Sequence, residues 1–148
     1  MNKHIRKSFV ACASALAMAA GMISAPMSAS AASISLLAGK WTAVLSGNTG
    51  CGSTSMYVTF QLNTSGVGTA TIQGHSTGCA DATTSGHAFR VLTLLSTGQG
   101  TASLECGAGC GWNFRIQAAS NNDQFILTDV DPANPNNTPT GVALRQYP

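Results

Sequence analysis

The clearest indication of the fold is the segment Cys106-Gly107-Ala108-Gly109-Cys110-Gly111-Trp112-Asn113-Phe114-Arg115. Two cysteines enclose three small residues, and apolar and polar side chains alternate after Gly111. Alternation with a period of two is typical of a β-strand that buries one face. The segment therefore predicts a tight corner followed by a strand at 112–118.

The same alternation recurs on both sides of this corner. It is clearest in Met56–Asn63, where every second residue is apolar. The predicted strands are 40–46, 56–63, 67–73, 88–96, 101–106, 112–118, 124–130 and 142–147. About eight sequential strands, with no helical periodicity after residue 31, predict a single all-β domain at 32–148. An antiparallel up-and-down barrel is the favoured architecture, and a β-sandwich is the alternative.

A glycine pattern occurs twice along the chain, at 65–72 and at 97–104. Both copies read Ser or Thr, Gly, any residue, Gly, Thr, Ala, Ser or Thr, and an aliphatic residue. A phosphate-binding loop would open a helix, whereas both copies continue as strands. We therefore interpret them as turns of two similar hairpins, with positive φ at the glycines and the start of a bulge.

The residues between the predicted strands are rich in glycine, serine and asparagine. We expect three of these stretches, 47–55, 74–86 and 131–140, to be surface loops that recognise a ligand or partner. Residues 32–38 are expected to be a short lead into the first strand.

The N-terminus has the pattern of a signal peptide. Lys3, Arg6 and Lys7 precede an uncharged apolar run, and Ala29-Ser30-Ala31 supplies the small residues at which cleavage is expected. The apolar run, 9–23, is shorter than the roughly 20 residues that cross a membrane. The sequence therefore predicts a signal peptide at 1–31, cleavage near Ala31, and a secreted or periplasmic domain without a membrane span.

Charge and cysteine content restrict the function further. All five acidic residues, but only four of the seven basic residues, follow the predicted cleavage site, so no basic surface remains to bind nucleic acid. An even number of cysteines in an exported domain predicts disulfides, and four cysteines allow three pairings. We favour Cys51–Cys79 and Cys106–Cys110, since the second pair is close in sequence and glycine-rich between. A zinc site with a histidine is the alternative.

Catalytic and metal-binding patterns are weak. His75 or His87 could join Asp81 and a serine in a triad, but no serine is predicted to lie in the strand-to-helix turn that a nucleophile elbow requires. Asp129 and Asp131 could bind calcium, or Asp131 could cap a turn before proline, which we favour. The sequence thus predicts a protein that is not an enzyme and that needs no metal or cofactor.

Both ends of the predicted domain carry a resemblance. Gly39-Lys40-Trp41 opens the first strand and Arg145 lies in the last, and this arrangement resembles the calycins, which include lipocalins, avidins and small bacterial metalloproteinase inhibitors. In lipocalins the tryptophan of a Gly-x-Trp motif packs beneath an arginine from the end of the barrel. The resemblance implies that Trp41 and Arg145 meet in a cation–π contact where the barrel closes.

These observations together predict an exported, non-catalytic binding protein. Its barrel is expected to hold a small apolar ligand, with Phe60, Trp112 and Phe114 near the cavity, or to bind a protein partner. The alternative, implied by the resemblance to the metalloproteinase inhibitors, is a protease inhibitor that inserts an extended segment, 32–38, into its target. A hydrolase ranks third.

Overall fold

The computed structural model describes residues 33–107 and 110–148 of the chain. Residues 1–32, which include the predicted signal peptide, and residues 108 and 109 lie outside the described residues. A short 3₁₀ helix, Ile34–Leu37, precedes the strands. The strands are β1 (Gly39–Thr49), β2 (Gly52–Leu62), β3 (Val67–Ser76), β4 (Ala82–Leu94), β5 (Gln99–Gly107), β6 (Cys110–Ala118), β7 (Gln124–Asp129) and β8 (Thr140–Gln146).

The eight strands form a closed antiparallel barrel in sequence order. Each strand pairs with the next, and β1 pairs with β8 to close the barrel, with Trp41 opposite Arg145. The up-and-down barrel predicted from the sequence is confirmed, and the sandwich alternative is wrong. Within the described ranges, no helix is both long and apolar enough to cross a membrane.

The barrel interior is a packed apolar core. In β2 the side chains of Met56, Val58, Phe60 and Leu62 are all buried and the residues between them are exposed, as the alternation predicts. The Phe60 ring stacks on Phe89 with 4.1 Å between ring centroids. Burying side chains of this size stabilises the fold by about 1.5–3 kcal/mol each. The core therefore fills most of the space that eight strands enclose.

One end of the barrel is closed by the 3₁₀ helix. Leu37 is completely buried there, and the Trp41 indole donates a hydrogen bond to its carbonyl oxygen at 2.8 Å. The Arg145 guanidinium carbon lies 4.6 Å from the centre of the Trp41 ring. The same guanidinium donates to the carbonyl oxygens of Leu36, Ala38 and Asn122. The cation–π contact that the resemblance implies is therefore present. The hydrogen bonds of Arg145 hold the 3₁₀ helix against the barrel.

Three local predictions are corrected by the structure. β1 continues to Thr49 and β2 begins at Gly52, so the predicted loop at 47–55 is wrong. Only a two-residue turn separates the two strands. The predicted loop at 74–86 is mostly strand, with a turn at 77–81. The segment 32–38 contains a 3₁₀ helix and is not extended. The predicted loop at 131–140 is present between β7 and β8.

The repeated glycine pattern forms the β2–β3 and β4–β5 turns. Gly66 and Gly98 have φ values of 76° and 80°, a backbone conformation that glycine adopts without strain. Positive φ at these turns is therefore confirmed. The strand pairings shift register after Ala70, after Val91 and after Glu105, and not at the turn glycines, so the predicted bulge at the glycines is wrong.

Candidate ligand-binding site at the open end of the barrel

A cavity of about 370 Å³ lies at the end of the barrel opposite the 3₁₀ helix. Four chain connections surround it: the β1–β2, β3–β4 and β5–β6 turns and the β7–β8 loop. The buried side chains of Met56 and Ile72 form its floor. Hydroxyl and amide groups line the outer part of the cavity, and they belong to Thr49, Thr54, Ser76, Thr84, Asn134 and Asn137.

Both disulfides lie at this open end. Cys51–Cys79 joins the β1–β2 turn to the β3–β4 turn, with 5.3 Å between the Cα atoms. Cys106–Cys110 closes the β5–β6 turn, with 5.1 Å between the Cα atoms. The pairing predicted from the sequence is confirmed, and the zinc alternative is wrong because all four thiols are used in disulfides. The disulfides restrain three of the four connections around the cavity.

Trp112 is the one predicted ligand-binding residue that lines the cavity. It lies on the inward face of β6, directly opposite the buried Leu104 of β5. Its indole Nε1 is buried and has no hydrogen-bond partner among the described residues. A buried donor without a partner costs about 1–3 kcal/mol.

Phe60 and Phe114 have a different position from the one predicted. Both are buried in the packed interior and neither is among the residues that line the cavity. The alternation of apolar and polar residues correctly predicts that both side chains point into the barrel. The depth of each side chain along the barrel axis depends on strand register, which the local pattern does not contain.

Two other inward-facing side chains were not recognised as such from the sequence. His87 lies opposite the buried Ala70, and Asp129 lies opposite the buried Phe114. His87 Nε2 and Asp129 Oδ2 are buried without a hydrogen-bond partner in the described part of the chain. Burial raises the pKa of the Asp129 carboxyl above its ordinary value.

Asp131 is held within the β7–β8 loop. Its carboxylate accepts hydrogen bonds from the Ala133 backbone N–H at 3.0 Å and the Asn134 side-chain amide at 3.1 Å. These two bonds, the Asn134 bond foremost, lower the pKa of the Asp131 carboxyl. Its backbone N–H in turn donates to Asp129. Asp131 therefore forms the turn that we favoured, and calcium binding at this pair stays a hypothesis.

A possible catalytic group lies on the outer wall of the barrel. His75 Nδ1 is 2.6 Å from Asp81 Oδ1, and Ser55 lies directly opposite His75 on the neighbouring strand. A carboxylate at Nδ1 is the arrangement that orients a catalytic histidine. However, Ser55 and His75 share no hydrogen bond in the described structure, and the His75 and Asp81 side chains are 74% and 67% exposed. Water screens charges at such a surface.

We therefore expect Ser55 to be unreactive. Incubating the folded protein with a fluorophosphonate probe should leave its intact mass unchanged, because a nucleophilic serine needs a base within hydrogen-bond reach. A serine hydrolase labelled in parallel controls for the activity of the probe. A phosphonyl adduct on Ser55 that disappears in His75→Ala would show that the protein is an enzyme.

The chain was compared with protein families, curated proteins and solved structures. No family model matches it, and no curated protein and no solved structure shows a significant match.

Proposed function

We propose that this chain is an exported, non-catalytic binding protein that holds a small apolar ligand in the open end of its barrel. The observation that carries the proposal is the cavity of about 370 Å³, which has an apolar floor and lies within the size range of small-molecule sites. The two disulfides support export, since such bonds persist in oxidising compartments.

The contrast between the two ends of the barrel supports the same proposal. Leu37 fills the closed end, and Arg145 ties the 3₁₀ helix in place. At the open end the floor is apolar but the space above Met56 and Ile72 is empty of side chains. A concave apolar site with rigid walls binds a ligand at a low cost in conformational entropy.

Trp112→Ala tests the proposal. The uncharged fluorophore N-phenyl-1-naphthylamine is a suitable probe, since its brightness increases in apolar surroundings. We expect the wild-type protein to bind it and Trp112→Ala to bind it at least about tenfold more weakly, because the largest apolar wall of the cavity is removed. The measurement is a fluorescence titration of the folded, oxidised protein.

The matched control for this titration is Leu95→Ala. Leu95 is an exposed apolar residue in the β4–β5 turn, at the closed end of the barrel. This variant should bind the probe with wild-type affinity. Equal weakening in both variants, or no binding by the wild-type protein, would contradict the proposed site.

The structure offers less support for protease inhibition through the N-terminal segment than for ligand binding in the barrel. Residues Ile34–Leu37 are folded into a 3₁₀ helix, and Leu37 is buried under the barrel. Arg145 bonds the carbonyl oxygens on both sides of Leu37, so an extended insertion would require these bonds to break. Protease inhibition stays a prediction of the resemblance.

A further inference from the structure

We infer that the cavity selects uncharged ligands with an apolar body and a neutral hydrogen-bonding group. This inference rests on the proposed function and adds the chemical class of the ligand. It follows from what lines the cavity and from where the charged side chains of the barrel lie.

No residue that lines the cavity in the described structure is Lys, Arg, His, Asp or Glu. Two carboxyl groups precede the lining residue Asn134 in the chain, and neither lines the cavity. Asp131 already accepts bonds from Ala133 and Asn134, and Asp129 faces the barrel interior opposite Phe114. Moving an ionised group out of water costs several kcal/mol unless an opposite charge or strong hydrogen bonds receive it. An ionised ligand finds no opposite charge in this lining, whereas an uncharged ligand needs none.

The polar groups of the lining determine where the neutral group of the ligand lies. The floor at Met56 and Ile72 is apolar, and the hydroxyls and amides belong to residues nearer the turns, such as Ser76 and Asn137. Hydroxyl and amide side chains can both donate and accept hydrogen bonds. We therefore place the apolar body of the ligand against the floor and its alcohol, amide or carbonyl group at the rim.

Three probes of nearly equal size test the inference: 1-octanol, octanoate and octylammonium. Each is titrated at pH 7.4 against wild-type protein loaded with N-phenyl-1-naphthylamine, and displacement of the fluorophore gives its affinity. We expect octanol to bind at least about tenfold more tightly than either ion, because only the ions must lose hydration without gaining a counter-charge.

The outcomes separate this inference from the proposed function. If the fluorophore binds but octanol does not displace it, or if an ion displaces it as well as octanol does, the neutral-ligand inference is overturned and the binding site remains. If the wild-type protein does not bind the fluorophore, the proposed function itself fails.

A charge placed in the lining provides a second test. Thr84 lines the cavity, and Thr84→Lys should raise the affinity for octanoate at least about tenfold and lower that for octylammonium. Thr97→Lys is the matched control, because Thr97 is exposed in the β4–β5 turn at the other end of the barrel. Circular dichroism verifies that both variants are folded. If Thr84→Lys leaves the octanoate affinity unchanged, the charge of the lining does not set selectivity and the inference is wrong.

Discussion

Trp41→Ala is expected to lower the free energy of unfolding by about 3–5 kcal/mol, the usual cost of truncating a buried tryptophan. Trp41 is almost completely buried, and its ring lies 4.7 Å from the Phe125 ring between centroids. The variant also removes the hydrogen-bond donor to Leu37 and the aromatic face beneath Arg145. Urea unfolding followed by circular dichroism measures the change.

The second tryptophan of the chain supplies the control for this prediction. Trp112 is only partly buried and borders the cavity, so Trp112→Ala should cost considerably less stability than Trp41→Ala. Trp41→Phe should fall between them, because it keeps an aromatic ring beneath Arg145 but leaves the Leu37 carbonyl without its donor. Equal losses at the two tryptophans would mean that the closed end does not stabilise the barrel as described.

Removal of the Cys51–Cys79 disulfide is the second change with a large expected effect. The bond spans 28 residues, and the chain-entropy relation gives a loss of about 3.6 kcal/mol for a loop of that length in the double variant Cys51→Ser/Cys79→Ser. The reason is that the unfolded chain gains freedom when the bond is absent. Urea unfolding of the oxidised wild type and of the variant, without reductant, gives the difference.

The shorter disulfide provides an internal comparison. Cys106–Cys110 spans only 4 residues, so Cys106→Ser/Cys110→Ser should lose about 2 kcal/mol by the same relation. The test is which of the two double variants loses more free energy of unfolding, because both share the same fold and are measured in the same solvent. A larger loss from the short disulfide would show that local packing, and not chain entropy, dominates its contribution.

The architecture could be predicted because the sequence shows two of its features. Apolar and polar side chains alternate along the strands, and Trp41 and Arg145 resemble the pair found where a calycin barrel closes. Met56, Val58 and Phe60 show the buried face of β2 directly, and the structure buries all three. The pairing of the four cysteines also followed from their spacing. Trp41 and Arg145 come together because they are directly opposite in the β1–β8 pairing, which only a closed barrel provides.

The details of the open end could not be predicted in the same way. Residues 47–55 and 74–86 are rich in small polar residues, which usually favour loops. In the structure most of them pair as strands, and the Thr49 and Thr54 hydroxyls lie 2.8 Å apart across the β1–β2 hairpin. Whether these residues form a strand or a loop is determined by the strands that they pair with, and not by their local composition. The same limit explains why Phe60 was expected at the cavity and is found in the core.

The seam between β1 and β8 has a practical consequence for handling this protein. Lys40 and Gln146 are paired neighbours, so the first strand begins and the last strand ends beside each other at the closed end. A fluorescent protein or a sensor surface attached through Pro148 would therefore lie on the side away from Trp112 and the cavity. The barrel can be immobilised through Pro148 with its open end directed toward the solution.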